Sequence, residues 1–136
     1  MQPCPFCTLG SGARRIADEN QYAFVVDDQY PVTEGHSLII SRRHFSNFFE
    51  ATSEEVDAIF GLLNSRRKIL QKEDPSILGF NVGINVGEAA GQTIFHLHVH
   101  LIPRRKGDVE DPRGGIRSVI PGMQKYGTPA PLGRGD

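Results

Sequence analysis

Three histidines stand two residues apart in the stretch Gly91-Gln92-Thr93-Ile94-Phe95-His96-Leu97-His98-Val99-His100-Leu101. Imidazole titrates near neutral pH, ligates metals and can act as nucleophile or base. The strict alternation from His96 to Leu101 is the period-2 pattern of a half-buried strand. Such a strand places His96, His98 and His100 on one face, about 6.6 Å apart in succession, with Leu97, Val99 and Leu101 facing a core. The row has three possible uses: a metal site of its own, catalysis through one neutral imidazole, or a polar face without chemistry. A second constellation opens the chain, Cys4-Pro5-Phe6-Cys7. Cysteines three apart read as half a zinc site, a redox dithiol or two ordinary thiols. A redox pair normally follows a strand, and none precedes this one. Zinc needs two further ligands.

The residues beside the row suit a phosphate. Gly91-Gln92-Thr93 offers backbone N–H groups, an amide and a hydroxyl, neutral donors for distributed negative charge. Asn81 and Asn85, on the segment before it, bring further amides towards the histidine face. The chain has no Gly-x-x-x-x-Gly-Lys-Ser/Thr loop and no carboxylate cluster for Mg²⁺ beside the row. Phosphoryl chemistry without a metal needs its own nucleophile, and a neutral imidazole qualifies. No motif reads one base over another.

The elements that must position these residues follow from pattern. Tyr22 to Asp28 and Gly35 to Ser41 read as strands that pair antiparallel. Residues 10–20 read as a turn with an irregular or short helical piece, and Phe45 to Phe49 as one or two helical turns. Thr52-Ser53-Glu54-Glu55 is a capping box opening one long helix, Ser53 to Lys72, that ends before Pro75. Val56, Ile59, Phe60, Leu63 and Leu70 form its apolar stripe. Ile77 to Val86 reads as a strand joined by the loop Gly87–Gly91 to the histidine strand, a hairpin. Seven of the last 33 residues are glycine and four are proline. Residues 1–106 therefore read as one domain and 107–136 as its loop-rich tail, ordered by wrapping the domain or a second subunit.

Composition sets the class. With 136 residues, 38% hydrophobic and 23% charged, the chain is one globular domain with room for a core. A net charge of −1 gives no case for nucleic-acid binding. The N-terminus lacks the basic and apolar regions of a signal peptide, and no apolar run reaches membrane-spanning length. Two cysteines do not make a secreted disulfide framework, so a cytoplasmic address is expected.

The motif His96-Leu97-His98-Val99-His100-Leu101-Ile102 resembles the His-x-His-x-His signature of the histidine triad superfamily. The resemblance runs from Cys4 to about Arg104 and includes Asp28, Gly35-His36, His44, Asn85 and Gly91-Gln92-Thr93. The tail, with Asp111-Pro112-Arg113 and Ile120-Pro121, resembles prokaryotic members described as diadenosine polyphosphate hydrolases. The resemblance implies an α+β fold: an antiparallel sheet of about five strands, one long helix and one short. It implies that His98 attacks the α-phosphorus of a nucleotide and forms a nucleotidyl-histidine intermediate, its other ring nitrogen held by a backbone carbonyl. It places His36 and His100 beside the α-phosphate, Gln92 and Thr93 on phosphate and bridging oxygens, Asn85 on the phosphate side and Asp28 on the ribose. It also implies a structural zinc on Cys4, Cys7, His44 and His96, and a homodimer. It leaves open the proton donor to the leaving group and whether water or phosphate accepts the nucleotidyl group.

Overall fold

The computed structural model describes residues 4–9 and 15–127. Contacts divide the chain into two units, Met1–Arg105 and Lys106–Asp136. The first holds α1 (Pro5–Thr8), β1 (Asp18–Glu19), β2 (Ala23–Asp27), β3 (Ser37–Ser41), α2 (Ser53–Glu73), β4 (Ile77–Gly83) and β5 (His98–Arg105). The strands form one antiparallel sheet in the order β1-β2-β3-β5-β4. This is the expected α+β architecture, with one long helix and one short. Among the described residues no helix is long and apolar enough to cross a membrane.

The middle of the sheet is covered on both faces. Ala23, Val25 and Ile39 join Val99 and Leu101 of β5 and Ile59, Leu62 and Leu70 of α2. Their sequence neighbours Phe24, Val26, Leu38 and Ile40 join Phe6 and Leu9 of the N-terminal segment. Coverage on both sides explains why β2 and β3 read as near-continuous apolar runs. β5 instead alternates buried and half-buried residues.

The helix begins as its capping box dictates. Thr52 Oγ1 accepts from Glu55 N at 3.1 Å, and Glu55 Oε1 accepts from Thr52 N at 2.9 Å. Glu55 is buried and also receives Arg43 Nη2 at 2.8 Å and Arg43 Nε at 3.1 Å. That pairing holds its carboxyl below the usual range, against the opposing effect of burial. It also turns the helix. The inward face is Glu55, Ile59, Leu62 and Leu70, while Val56 and Phe60 of the expected stripe are exposed. The apolar spacing allowed both orientations, and the anchored carboxylate selects one.

Four local differences from expectation concern the ends of elements. A two-residue strand, Asp18–Glu19, pairs with β2 where an irregular or helical piece was expected. The aromatic stretch after His44 gives a single 3₁₀ turn, Phe48–Glu50. β4 ends at Gly83, three residues short of Val86. β5 starts at His98, not His96, and runs through Pro103 to Arg105. Proline is tolerated there because β3 pairs only as far as Leu101, leaving Pro103 opposite Phe80 of β4 alone.

The second unit is described from Lys106 to Gly127. Its loops are fastened to each other. Gln124 Nε2 donates to the carbonyls of Asp111 and Arg113 at 2.9 and 3.0 Å, and the Arg117 guanidinium lies 4.6 Å from the Tyr126 ring centroid. Gly114 takes φ +78, and a Cβ there would collide with the Gln124 carbonyl. These bonds lie within the unit itself.

Candidate active site

The β3–β5 register sets Leu38 opposite His100 and Ile40 opposite His98. Paired residues share a sheet face, so both histidines lie on the side covered by the N-terminal segment. There they line a cavity of about 230 Å³ with Phe6, Asp28, Gln29, Tyr30, Leu38, Asn85, Gly91, Thr93 and Ile94. The cavity joins an apolar part, Phe6, Leu38 and Ile94, to a polar part.

His98 has a defined tautomer. Its Nδ1 lies 2.8 Å from the His96 carbonyl oxygen, which can only accept. In the neutral ring Nδ1 therefore carries the proton, and Nε2 has the lone pair. The Phe6 ring stands edge-on to the His98 ring, centroids 4.9 Å apart, and restrains its orientation.

His36 and His100 form a second defined chain. Val32 N–H donates to His36 Nδ1 at 3.1 Å. That nitrogen is then an acceptor, so a neutral His36 carries its proton on Nε2. His36 Nε2 stands 2.9 Å from His100 Nδ1 and donates to it. His100 must then carry its own proton on Nε2, the end of the ring away from His36. Burial lowers the pKa of both rings, that of His100 to about 4, with His98 and His36 adding to the effect. Asp28 opposes this, its Oδ2 lying 3.4 Å from His36 Nε2 and 4.0 Å from His100 Nδ1. Both rings are neutral at physiological pH, and His100 is a fixed N–H donor.

Asp28, His36 and His100 converge closely enough to suggest a metal site. The hydrogen bonds argue against one. A histidine ligating through Nε2 needs its proton on Nδ1, where Val32 N–H already donates.

The other cluster has the opposite character. The ligand atoms of Cys4, Cys7, His44 and His96 lie within 4.8 Å of one another. His96 is fully buried, and its Nε2 donates to the Ser41 carbonyl at 2.6 Å. Its Nδ1 lone pair therefore points at Cys4 Sγ, Cys7 Sγ and His44 Nδ1, which stand 3.4, 3.5 and 3.1 Å away. Tetrahedral bonds of about 2.0 Å to nitrogen and 2.3 Å to sulfur separate ligands by roughly 3.3 to 3.8 Å. The spacing, the two thiols and the backbone-fixed tautomer fit a metal ion. His44 reaches the cluster on the loop that Arg43 fastens to Glu55.

The sequence-derived site residues fall into three groups. His98, His100, Asp28, Asn85 and Thr93 line one cavity. Cys4, Cys7, His44 and His96 gather as a ligand set, with His96 just before β5 and turned, like His98, towards the N-terminal segment. Two others depart from expectation. Gln92 is buried, and its amide is spent on structure: Oε1 accepts from Gly87 N, and Nε2 donates to the carbonyls of Ser46 and Ile94. It braces the loop that presents Thr93 and leaves no donor for a phosphate. His36 stands behind His100, 2.9 Å from its Nδ1, and lines a second cavity of about 450 Å³ with Arg66 and Leu70 of α2. Asn81 is taken by Arg104 Nη1, which donates to its Oδ1 at 2.7 Å. Sequence reasoning missed Phe6 as a cavity wall. Its position between two metal-ligand candidates was the available signal.

Comparison with known proteins agrees with this geometry. The HIT domain family model matches residues 13–107. "Protein hit" of Bacillus subtilis is 38% identical over 110 residues, covering 77% of this chain and 74% of that one. The crystal structure of a Zn-bound histidine triad family protein from Mycobacterium smegmatis superposes with a TM-score of 0.70 at 32% identity, covering 77% of each chain. Plasmodium falciparum diadenosine triphosphate hydrolase, in complex with Cyclomarin A, gives a TM-score of 0.66 at 26% identity, covering 73% of this chain and 67% of that one. With its fold, its histidine constellation and these relatives in agreement, the chain belongs to the histidine triad (HIT) domain family.

Proposed function

We propose that this chain is a nucleotide hydrolase acting at the α-phosphorus through a nucleotidyl-histidine intermediate on His98. The observation that carries this reading is the His98 tautomer. Its Nδ1–H is committed to the His96 carbonyl, so in the neutral ring Nε2 is the nitrogen left as nucleophile at the cavity. Nε2 attacks phosphorus, the bond to the leaving group breaks, and the P–N bond forms. Water then attacks phosphorus from the opposite side, breaks the P–N bond and returns His98 with release of a nucleoside monophosphate. Thr93, Asn85 and the His100 Nε2–H supply donors for the phosphate oxygens. The His100 proton and the Thr93 hydroxyl are the candidate donors to the leaving group. Gln92 supports the site only by bracing its loop. Asp28 offers a carboxylate to the ribose.

A cavity of about 230 Å³ is small for a whole dinucleotide, which would place part of such a substrate outside it. Dinucleoside polyphosphates such as diadenosine tetraphosphate fit that division, and a relative is a diadenosine triphosphate hydrolase. Phosphoramidate hydrolysis and transfer to inorganic phosphate would use the same nucleophile. A non-catalytic nucleotide-binding role would leave the His98 tautomer without a purpose.

We further propose structural zinc on Cys4, Cys7, His44 and His96, where four protein ligands would leave no position for activated water. Thiolates kept for a metal fit a reducing cytoplasm. A homodimer is expected from the resemblance. The uncharged edge strand β4, with Leu78 and Val82 exposed, is consistent with it.

The test is incubation with diadenosine tetraphosphate, with and without phosphate, beside adenosine phosphoramidate. Phosphate-independent turnover that is lost in His98→Ala supports hydrolysis. Phosphate-dependent ADP formation would make the protein a phosphorylase. AMP binding without turnover of any candidate would make it a binding protein.

A further inference from the structure

The metal ligands and the cavity wall are parts of one four-residue segment. Phe6 lies between Cys4 and Cys7 in α1, a helix too short to be stable alone. Phe6 is buried, lines the cavity and packs on His98 with centroids 4.9 Å apart, while its ring centroid is 6.1 Å from that of His96. Two sets of side-chain contacts bear on α1. Cys4 and Cys7 face His44 and His96, and Phe6 and Leu9 pack on Phe24, Val26, Leu38 and Ile40. Thr8 bonds back to the Pro5 carbonyl within the segment.

We infer that metal occupancy and nucleotide affinity are coupled through Phe6, a positioning residue whose ring completes the cavity only while Cys4 and Cys7 are tied to His44 and His96. The inference rests on the proposed nucleotide site. A metal on these four ligands fixes both ends of the Pro5-Phe6 step and presses the ring against His98. Without it the ties at Cys4 and Cys7 to His44 and His96 are lost, and the ring is held less firmly against the wall. A bound nucleotide in turn holds Phe6 in place and so slows loss of the metal. Coupling between two ligands is reciprocal, which supplies a readout independent of catalysis.

Two measurements on the full chain test this. The first is AMP affinity by calorimetry for zinc-loaded wild type, Phe6→Ala, Cys4→Ser with Cys7→Ser, and the triple variant. Phe6→Ala and the cysteine pair should each weaken AMP about fivefold, within the range of an aromatic contact. The triple variant should be no weaker than the cysteine pair, because the two changes remove one interaction. Additive losses overturn the inference. The second measurement needs no variant that might misfold: the amount of zinc retained by wild type against a graded chelator, with and without saturating AMP. AMP should raise zinc affinity by the same factor by which zinc raises AMP affinity, and Phe6→Ala should abolish the effect. Zinc retention indifferent to AMP overturns the coupling while leaving the nucleotide site standing. Zinc-loaded wild type that binds no AMP would overturn both.

Discussion

Acid should destabilise this protein through His100, and the size of the loss can be worked from its surroundings. Burial, then His98 and His36, hold its pKa at about 4, against the pull of Asp28, while the unperturbed value is 6.5. Between these values the unfolded chain binds a proton that the folded chain refuses. Stability therefore falls as pH drops from about 6.5 to about 4 and is level on either side. At about pH 5 the loss is about 2 kcal/mol, taken from the ratio of protonation in the two states. Asn at position 100 can accept the His36 Nε2–H without titrating. Urea unfolding of wild type and His100→Asn, at about pH 7.5 and about pH 5, isolates the effect, since both proteins share the acid sensitivity of the cysteine–histidine cluster. Wild type should lose about 2 kcal/mol more than the variant, a midpoint shift larger by about 1 M at a typical slope. Equal losses would refute a buried, neutral His36–His100 pair.

Purified protein should carry about one zinc per chain, and metal analysis of Cys4→Ser with Cys7→Ser should find none. Zinc retained by that variant would remove the proposed ligand set. Gly35→Ala should cost about 1–3 kcal/mol in urea unfolding, because position 35 has φ +95 and a Cβ there would stand 3.1 Å from Pro103 Cγ. Since Gly35 leads directly into His36, an unchanged stability would mean the turn can relax. Glu55→Ala should cost about 2–4 kcal/mol by removing one arm of the capping box and stranding Arg43. It should also weaken zinc retention through the loop carrying His44, and a stable variant with unaltered metal content would contradict that link.

Much of this was legible because the relevant signals are local. Polar and apolar alternation around His98 and His100 gave a strand and its buried face, and the Thr52–Glu55 box gave the start of α2. The carbonyl contact of His98 was expected from the resemblance, but the tautomers of His96 and His36 were not legible, since they depend on a backbone group distant in the chain or set by a turn: Ser41 for His96, Val32 for His36. The hydrogen bonds of Gln92 were not legible for a related reason. An amide after glycine suits a phosphate, but burial turned it towards Gly87, Ser46 and Ile94. The turn of α2 was decided by Glu55, a charged residue at an inward position that apolar spacing does not count. Phe6 escaped notice because a four-residue helix has no periodicity; only packing on His98 gives it meaning.

The central claim is that His98 Nε2 becomes covalently bonded to phosphorus. Acid-sparing rapid quench with diadenosine tetraphosphate, followed by peptide mass spectrometry, tests it directly. A nucleoside monophosphate should be found on the peptide carrying His98 within the first turnover, and should be absent from His98→Ala. Turnover with the adduct on another residue, or full turnover by His98→Ala, would contradict the account.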